Sequence, residues 1–456
     1  MSTIKPSLPK GTRDFLPEQM VRRQYVFDTV REIFERYGYE PLETPAIEKL
    51  EVLSGKYGDE GEKLIFKVLK RGTGLEDLLK GKTEFVVHDY HELIEEALRY
   101  DLTVPLSRVV AMYRNELVFP FKRYQIQPVW RADRPQRGRY REFYQCDIDS
   151  VGSASMLSDA ETIAIVYEVL RTLGFKNFYI RLNNRKILNG IIEYAGIPHS
   201  LANSVFIALD KLEKIGKEGV IKELEKRELN RAQINKIFEI LEIKGTNSQI
   251  LQNLEDDFTI EPLQEGAREL KEIQTYLHEM NIPESCLKID LYLARGLGYY
   301  TGPIHESVVE EPRIGSLTGG GRYDRLIGMF LGQDIPATGT AFGIERIIDV
   351  MAQLNMFPQV QTKTKVLVTL FDETTRAESL NFAQELRRAG VATDCFLNLA
   401  KLKKQFSYAD KKNIPFVVII GPDEVAEQSV TLKNMQTGEQ KKMKKDEVIT
   451  YLLQFK

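Results

Sequence analysis

Cysteine is scarce in this sequence: Cys146, Cys286 and Cys395 are the three in 456 residues, and they are widely spaced. That pattern suggests neither a disulfide framework nor a thiolate zinc site. Histidine numbers five. His88 and His91 stand at a spacing a metal could use, but with no further Cys or His nearby they read as surface positions on a polar segment. Long apolar runs are missing too. No stretch reaches the roughly 18 to 20 residues that span a bilayer, and Met-Ser-Thr-Ile-Lys-Pro at the start lacks a signal-peptide apolar core, so a cytoplasmic protein with no membrane partner is expected. Nor does one sign of charge dominate. The formal net charge is -3, so a basic site has to be local. What is there, 28% charged and 43% hydrophobic residues, is the composition of a soluble globular protein long enough for two or three domains.

One local basic site stands out. From Lys122 to Arg141 there are seven Lys/Arg against a single acid, Asp133, and five of the Arg fall within Arg131 to Arg141. Guanidinium groups present rigid paired donors that match phosphate and carboxylate oxygens. By itself the loop fits a solvated basic hairpin equally well. Two later segments tip the balance toward an anion site. Leu293-Ala-Arg-Gly-Leu-Gly-Tyr-Tyr-Thr-Gly302 puts one Arg and two adjacent Tyr in an apolar strand context, and Gly319-Gly-Gly-Arg-Tyr-Asp324 is followed by Gly339-Thr-Ala-Phe-Gly-Ile-Glu-Arg346.

Apolar spacing from residue 20 to 37 predicts a helix with one stripe, ended by Gly38, then extended chain to Pro45. Arg123 to Trp130 and Tyr140 to Ser150 read as strands around the basic loop, residues 154 to 173 as a helix and Phe178 to Leu182 as a strand. From about Asn184 to His278 the chain turns Lys/Glu-rich, the usual mark of solvated helix faces. Past the linker-like residues 355–364 it alternates: strands at Val366 to Leu370, Thr393 to Leu397 and Phe416 to Ile420, helices at Thr375 to Ala389 and Lys401 to Lys412. A small, mainly parallel sheet is expected there. From Lys365 onward 15 Lys/Arg stand against 12 Asp/Glu, a mild excess that permits nucleic-acid contact without requiring it.

Together the segments resemble the histidyl-tRNA synthetases, a family of class II aminoacyl-tRNA synthetases. The likeness is nearly full length, from Lys10-Gly-Thr-Arg-Asp-Phe-Leu-Pro17 through Tyr100-Asp-Leu-Thr-Val-Pro105 to Lys404-Gln-Phe-Ser-Tyr-Ala-Asp410, and Arg141-Glu-Phe-Tyr-Gln-Cys-Asp147 is similar to the eukaryote-like branch. The resemblance implies an α+β class II catalytic domain over 1–354, an antiparallel sheet with helices that carries a helical insertion at about 184–278. It further implies a linker at 355–364, an anticodon-binding α/β domain over 365–456, and a homodimer joined through the first helix. Two decoys drop out. Gly81-Lys82-Thr83 lacks the glycine and strand of a P-loop, and Lys442-Met-Lys-Lys445 has no partner segment of the class I type.

The implied activity is ATP-dependent ligation of L-histidine to histidine tRNA, through histidyl-adenylate, with Mg²⁺ bridging the outer phosphates of ATP. Arg131, Arg295 and Arg346 are the implied catalytic residues. Asp101, Thr103, Gln145, Asp149, Tyr299, Tyr300 and Tyr323 would hold histidine. Arg131, Asp133, Arg139, Arg295, Gly343 and Arg346 would hold ATP, Arg134 and Gln136 would meet the tRNA, and no protein-bound metal site is implied. Gly298 departs from the family, which usually has a polar residue there. The rivals are a synthetase-like regulatory subunit of ATP phosphoribosyltransferase and a tRNA-sensing domain, both expected to lose motif residues that this chain keeps.

Overall fold

A computed structural model describes residues 4–54, 63–72, 80, 93–135, 138–294, 298–358 and 362–455. Arg295, Gln136, His88, His91, residues 81–83 and 359–361 of the expected linker lie outside the described residues. The chain divides into two compact units. The first holds Met1–Arg13 and Val26–Met356, the second Asp14–Tyr25 and Phe357–Lys456.

The strands of the first unit are β1 (Glu40–Pro41), β2 (Ile47–Lys49), β3 (Phe66–Leu69), β4 (Ile94–Leu98), β5 (Phe121–Trp130), β6 (Glu142–Val151), β7 (Phe178–Asn184), β8 (Leu287–Ile289), β9 (Pro303–Val309), β10 (Thr318–Arg322) and β11 (Ala337–Phe342). Eight of them form one sheet in the order β1-β5-β6-β11-β10-β9-β7-β8. The inner pairings are antiparallel and the two outermost, β1 with β5 and β7 with β8, are parallel. A smaller antiparallel sheet orders β2-β4-β3.

One face of the large sheet is covered by helices. In the helix Pro17–Arg36, Val26, Val30, Ile33 and Phe34 are fully buried at helical spacing, and the Phe34 ring lies 5.9 Å from Tyr124 and 5.3 Å from Phe342. Full burial of such side chains stabilises by about 1.5–3 kcal/mol each. The helix Met156–Thr172, capped by Ser155 Oγ accepting from Leu157 N at 3.2 Å, lies against the same sheet. Because side chains alternate across a strand, covering one face leaves Phe143, Gln145, Asp147 and Asp149 of β6 on the other.

Between β7 and β8 come the helices Arg185–Tyr194, Ala202–Leu209, Leu212–Glu225, Arg231–Leu241, Asn247–Asp256 and Glu261–Glu279. Asn230 and Thr246 close capping boxes on the fourth and fifth. Leu263, Ala267, Leu270, Ile273 and Leu277 make the buried stripe of the last, under its charged outer face.

In the second unit β12 (Val366–Val368), β13 (Thr393–Cys395), β14 (Phe416–Ile419), β15 (Val430–Asn434) and β16 (Gln440–Met443) order β13-β12-β14-β15-β16. β13, β12 and β14 are parallel, and the helices Arg376–Arg388 and Leu402–Lys411 alternate with them along the chain. β15 and β16 add an antiparallel hairpin, which corrects the expected mainly parallel sheet. Val430-Thr-Leu alternates as a strand with Val430 and Leu432 buried, but alternation does not set strand direction. What fixes the hairpin is a turn in which Asn434 Oδ1 accepts from Gln436 N at 2.9 Å and Thr437 N at 3.1 Å.

Candidate active site

The site grows out of the register of β5 on β6. Arg123 stands opposite Asp149, Gln125 opposite Asp147 and Gln127 opposite Gln145. On the other side of β6, Asp149 faces Gly339 and Asp147 faces Ala341 of β11. Small residues there hollow the sheet. A Cβ at Gly339 would lie 2.1 Å from Asp149 Oδ1, so only glycine leaves the carboxylate its place. Above this floor is a cavity of about 450 Å³, within the range that holds a small ligand.

Asp101, Thr103, Arg131, Asp133, Arg139, Gln145, Asp149, Tyr299, Tyr300, Tyr323, Gly343 and Arg346 all line this one cavity. They come from six stretches of sequence. Arg134 does not line it and is exposed. Gln136 and Arg295 lie outside the described residues.

Asp149 is nearly inaccessible. Arg123, with a fully buried guanidinium, pairs with it at 2.7 Å, and the Tyr323 hydroxyl donates to its other oxygen. Burial pushes the Asp149 carboxyl up to about 6, against the pull of Arg123 and the Tyr323 hydrogen bond. Asp147 is pushed up to about 8, first by burial; Arg123 opposes the shift and Asp149 and Asp101 add to it. The Tyr299 and Tyr323 phenols are held well above their ordinary range by burial, and so stay neutral donors.

The strand context expected for Tyr299 and Tyr300 is corrected. Gly298 and Tyr299 lie in a turn, Tyr300 and Thr301 in irregular chain, and β9 begins only at Pro303, so the strand alternation that would send adjacent rings to opposite faces does not apply. Thr301 N instead donates to Arg322 O at 2.8 Å. Both rings therefore reach the cavity, with their hydroxyls 3.4 Å apart. Gly298 lies nearest Asn203 of the helical insertion, 3.7 Å from where its Cβ would be.

The basic loop is held from within. Arg131 Nε donates to Tyr100 O at 2.9 Å and its Nη2 to Gln145 Oε1 at 3.3 Å, with the guanidinium 5.2 Å from the Phe143 ring centre. Arg139 stays half exposed, 3.9 Å from Asp133. Arg141 turns away from the cavity and donates to Asp133 O. At the start of the helix Ile344–Gln353, Arg346 Nη1 donates to Ser316 O at 2.8 Å, while Glu345 takes Arg13 at 2.5 Å. Phe143 and Asp149 are six residues apart on β6, about 20 Å at strand rise. The cavity thus runs from the Asp149 carboxylate and its phenols to the guanidinium of Arg131.

Two of these groups escaped the sequence reading. Asp147 lies midway between Gln145 and Asp149 at the period of two that already put those on one face, so that signal was present. Arg123 is a residue of β5 with no signal of its own; its partner is chosen by register. Among the described residues no cluster of three His, Cys, Asp or Glu could hold a metal, and no helix is long and apolar enough to cross a membrane.

An antiparallel sheet whose open face carries this polar, Arg-bearing cavity is the architecture of a class II aminoacyl-tRNA synthetase. A family model for histidyl-tRNA synthetase matches residues 11–76 and 76–347, and one for an anticodon binding domain matches 365–455. The chain is 46% identical to a histidine–tRNA ligase of Cytophaga hutchinsonii, over 98% of this chain and 100% of that protein. It is 44% identical to one of Bacteroides fragilis, over 98% of each. The crystal structure of histidyl-tRNA synthetase from Nostoc sp. PCC 7120 matches with a TM-score of 0.84 at 34% identity, covering 98% of this chain and 100% of that one. An ATP phosphoribosyltransferase regulatory subunit/histidyl-tRNA synthetase from Bacillus halodurans C shares the fold, with a TM-score of 0.72 at 21% identity over 89% of this chain and 97% of that one. The chain belongs to the histidyl-tRNA synthetase family.

Proposed function

We propose that the cavity joins L-histidine to ATP as histidyl-adenylate, releasing pyrophosphate, and then passes the histidyl group to the terminal ribose of histidine tRNA. The observation that carries this reading is the polarity of one cavity, with carboxylates and neutral phenols around Asp149 and guanidiniums at Arg131, Arg139 and Arg346. Asp101, Thr103 and Gln145 take the α-ammonium group. Asp149, Tyr299, Tyr300 and Tyr323 surround the imidazole and pair its nitrogens. A ligand that leaves such buried groups unpaired is rejected by as much as about 10⁴.

The carboxylate of histidine attacks the α-phosphate, and two anions must approach. Fixed positive charge stabilises that approach without reorganisation. Arg131 bridges the carboxylate and the α-phosphate, Arg295 takes the α-phosphate, and Arg139 and Arg346 take the outer phosphates with Asp133 and Gly343 beside them. Mg²⁺ brought in with the nucleotide would offset the negative charge of its phosphates. Asp133 and Glu345 are carboxylates of the same cavity wall, a donor set suited to magnesium-bound water.

Exposed Arg134, with Gln136, meets the acceptor end of the tRNA. Residues 365–456 meet the anticodon and are joined through 355–364 to the catalytic domain, residues 1–354. The helix Pro17–Arg36 serves a homodimer, and the work is done in the cytoplasm. The likeness of Arg141–Asp147 to the eukaryote-like branch gets no support from the relatives named above, which are bacterial. ATP-pyrophosphate exchange with each of the twenty amino acids tests the reading. Histidine alone is expected to drive it; exchange with another amino acid, or none from folded protein, would overturn it in favour of a regulatory role.

A further inference from the structure

Gln145 is held between two charged groups of opposite kind. Its Oε1 accepts from Arg131 Nη2 at 3.3 Å, and its Nε2 stands 3.2 Å from each carboxylate oxygen of Asp147. Both residues are buried, Gln145 at 7% exposure and Asp147 at 2%. An ionised carboxylate only accepts and a guanidinium only donates, so an amide between them has one fully satisfied orientation. Without the carboxylate, a half-turn of the amide exchanges its oxygen for its nitrogen at almost no change in shape.

We propose that Asp147 is a positioning residue for amino-acid binding, pinning the Gln145 amide so that Oε1 offers its second lone pair to the α-ammonium group of the bound amino acid. This rests on the reading of the cavity as a histidine site. A flipped amide would turn its NH₂ group toward that cation, a repulsive contact in place of an attractive one. The surroundings of Asp147 make the device responsive to ligand. Its backbone oxygen lies 3.5 Å from Arg123 Nη1, while the Arg123 guanidinium pairs with Asp149, and Asp101 lines the same cavity. The carboxylates of Asp101, Asp147 and Asp149 thus share one cavity, and the buried guanidinium of Arg123 is paired with Asp149. Burial favours the neutral acid at Asp147, and an arriving ammonium favours the ionised form, which is the acceptor-only form that pins the amide.

The test compares Asp147→Ala, Asp147→Asn, Gln145→Ala and the double variant Asp147→Ala/Gln145→Ala by pyrophosphate exchange, varying histidine and ATP separately, with thermal melts alongside. Asp147→Ala is expected to raise KM for histidine roughly tenfold or more, the loss expected when a charge-assisted hydrogen bond goes, and to change KM for ATP much less. Asp147→Asn, whose Oδ1 can accept from Gln145 Nε2 but whose NH₂ can also serve a flipped amide, should restore part of it. In the Gln145→Ala background the effect of Asp147→Ala should vanish, because there is no amide left to pin. Equal fold-losses in both backgrounds, or an unchanged KM for histidine, would overturn the proposal. So would a well-folded Asp147→Asn protein as impaired as Asp147→Ala, a comparison that stands even if the alanine variant melts early. Wild-type exchange with histidine, measured first, tests the site itself: its absence removes the site and the pin together, whereas exchange with equal fold-losses removes only the pin.

Discussion

The titrating groups of the cavity give it a pH signature. Asp147 has an ordinary carboxyl value of about 4 in the unfolded chain, and burial lifts it to about 8 in the folded protein. Between those values the folded state keeps a proton that the unfolded state has lost. The contribution to stability is therefore fully present below about pH 4 and is lost as pH rises through about 8. Asp149 and Asp159, each lifted to about 6 mainly by burial, add slopes of the same sign that end lower. In the ligand-free protein the melting temperature should fall from pH 5 to 8.5, and Asp147→Asn, which cannot titrate, should flatten the slope above pH 6. Thermal melts across that range decide it, and identical slopes in the two proteins would contradict the assignment.

Between elements, one buried link is made by no site residue. Arg322 at the end of β10 reaches the helix Met156–Thr172, pairing with Asp159 and donating to Ser153 O and Ser155 O at 3.0 Å each, with side-chain exposures of 4% for Arg322 and 1% for Asp159. The Arg of Gly319-Gly-Gly-Arg-Tyr-Asp324 thus fastens a covering helix to the sheet, while Tyr323 next to it turns to the cavity. Removing one partner of a buried pair leaves the other charge uncompensated. Arg322→Leu should lower stability by about 3–5 kcal/mol in urea titration, and an unchanged midpoint would show that the pair is dispensable. Gly320, between, serves the covered face too: His305 Nε2 and Thr340 Oγ1 meet at 2.5 Å across it, and a Cβ there would lie 2.6 Å from Thr340 Oγ1.

For the molecule as a whole, adenylate formation and tRNA charging should separate. The proposed chemistry lies in the first unit, and the anticodon module in the second. Lys403 and Lys404 are exposed on the helix Leu402–Lys411 of the second unit. Reversing both charges, Lys403→Glu with Lys404→Glu, should raise KM for tRNA and reduce its dependence on salt, since phosphate contacts carry that dependence. Histidine-dependent pyrophosphate exchange should stay at the wild-type level. Equal loss in exchange and charging would place this helix outside tRNA binding.

The sequence by itself determined the element pattern, because strand alternation and helix periodicity are local properties of the chain, while the antiparallel catalytic sheet and the candidate cavity residues were what the resemblance of its Arg- and Gly-bearing motifs implied. It also put Gln145 and Asp149 on one face, from which Asp147 follows. Tertiary structure alone decided the rest. Register, a matter of how two distant strands slide past each other, put Arg123 opposite Asp149 and Gly339 beneath it. The chain between Gly298 and Pro303 brought both tyrosines to one side, and a turn built on Asn434 paired β15 and β16 antiparallel. Those choices depend on which burial and hydrogen-bonding arrangement satisfies all partners at once, and no single stretch of sequence holds that information.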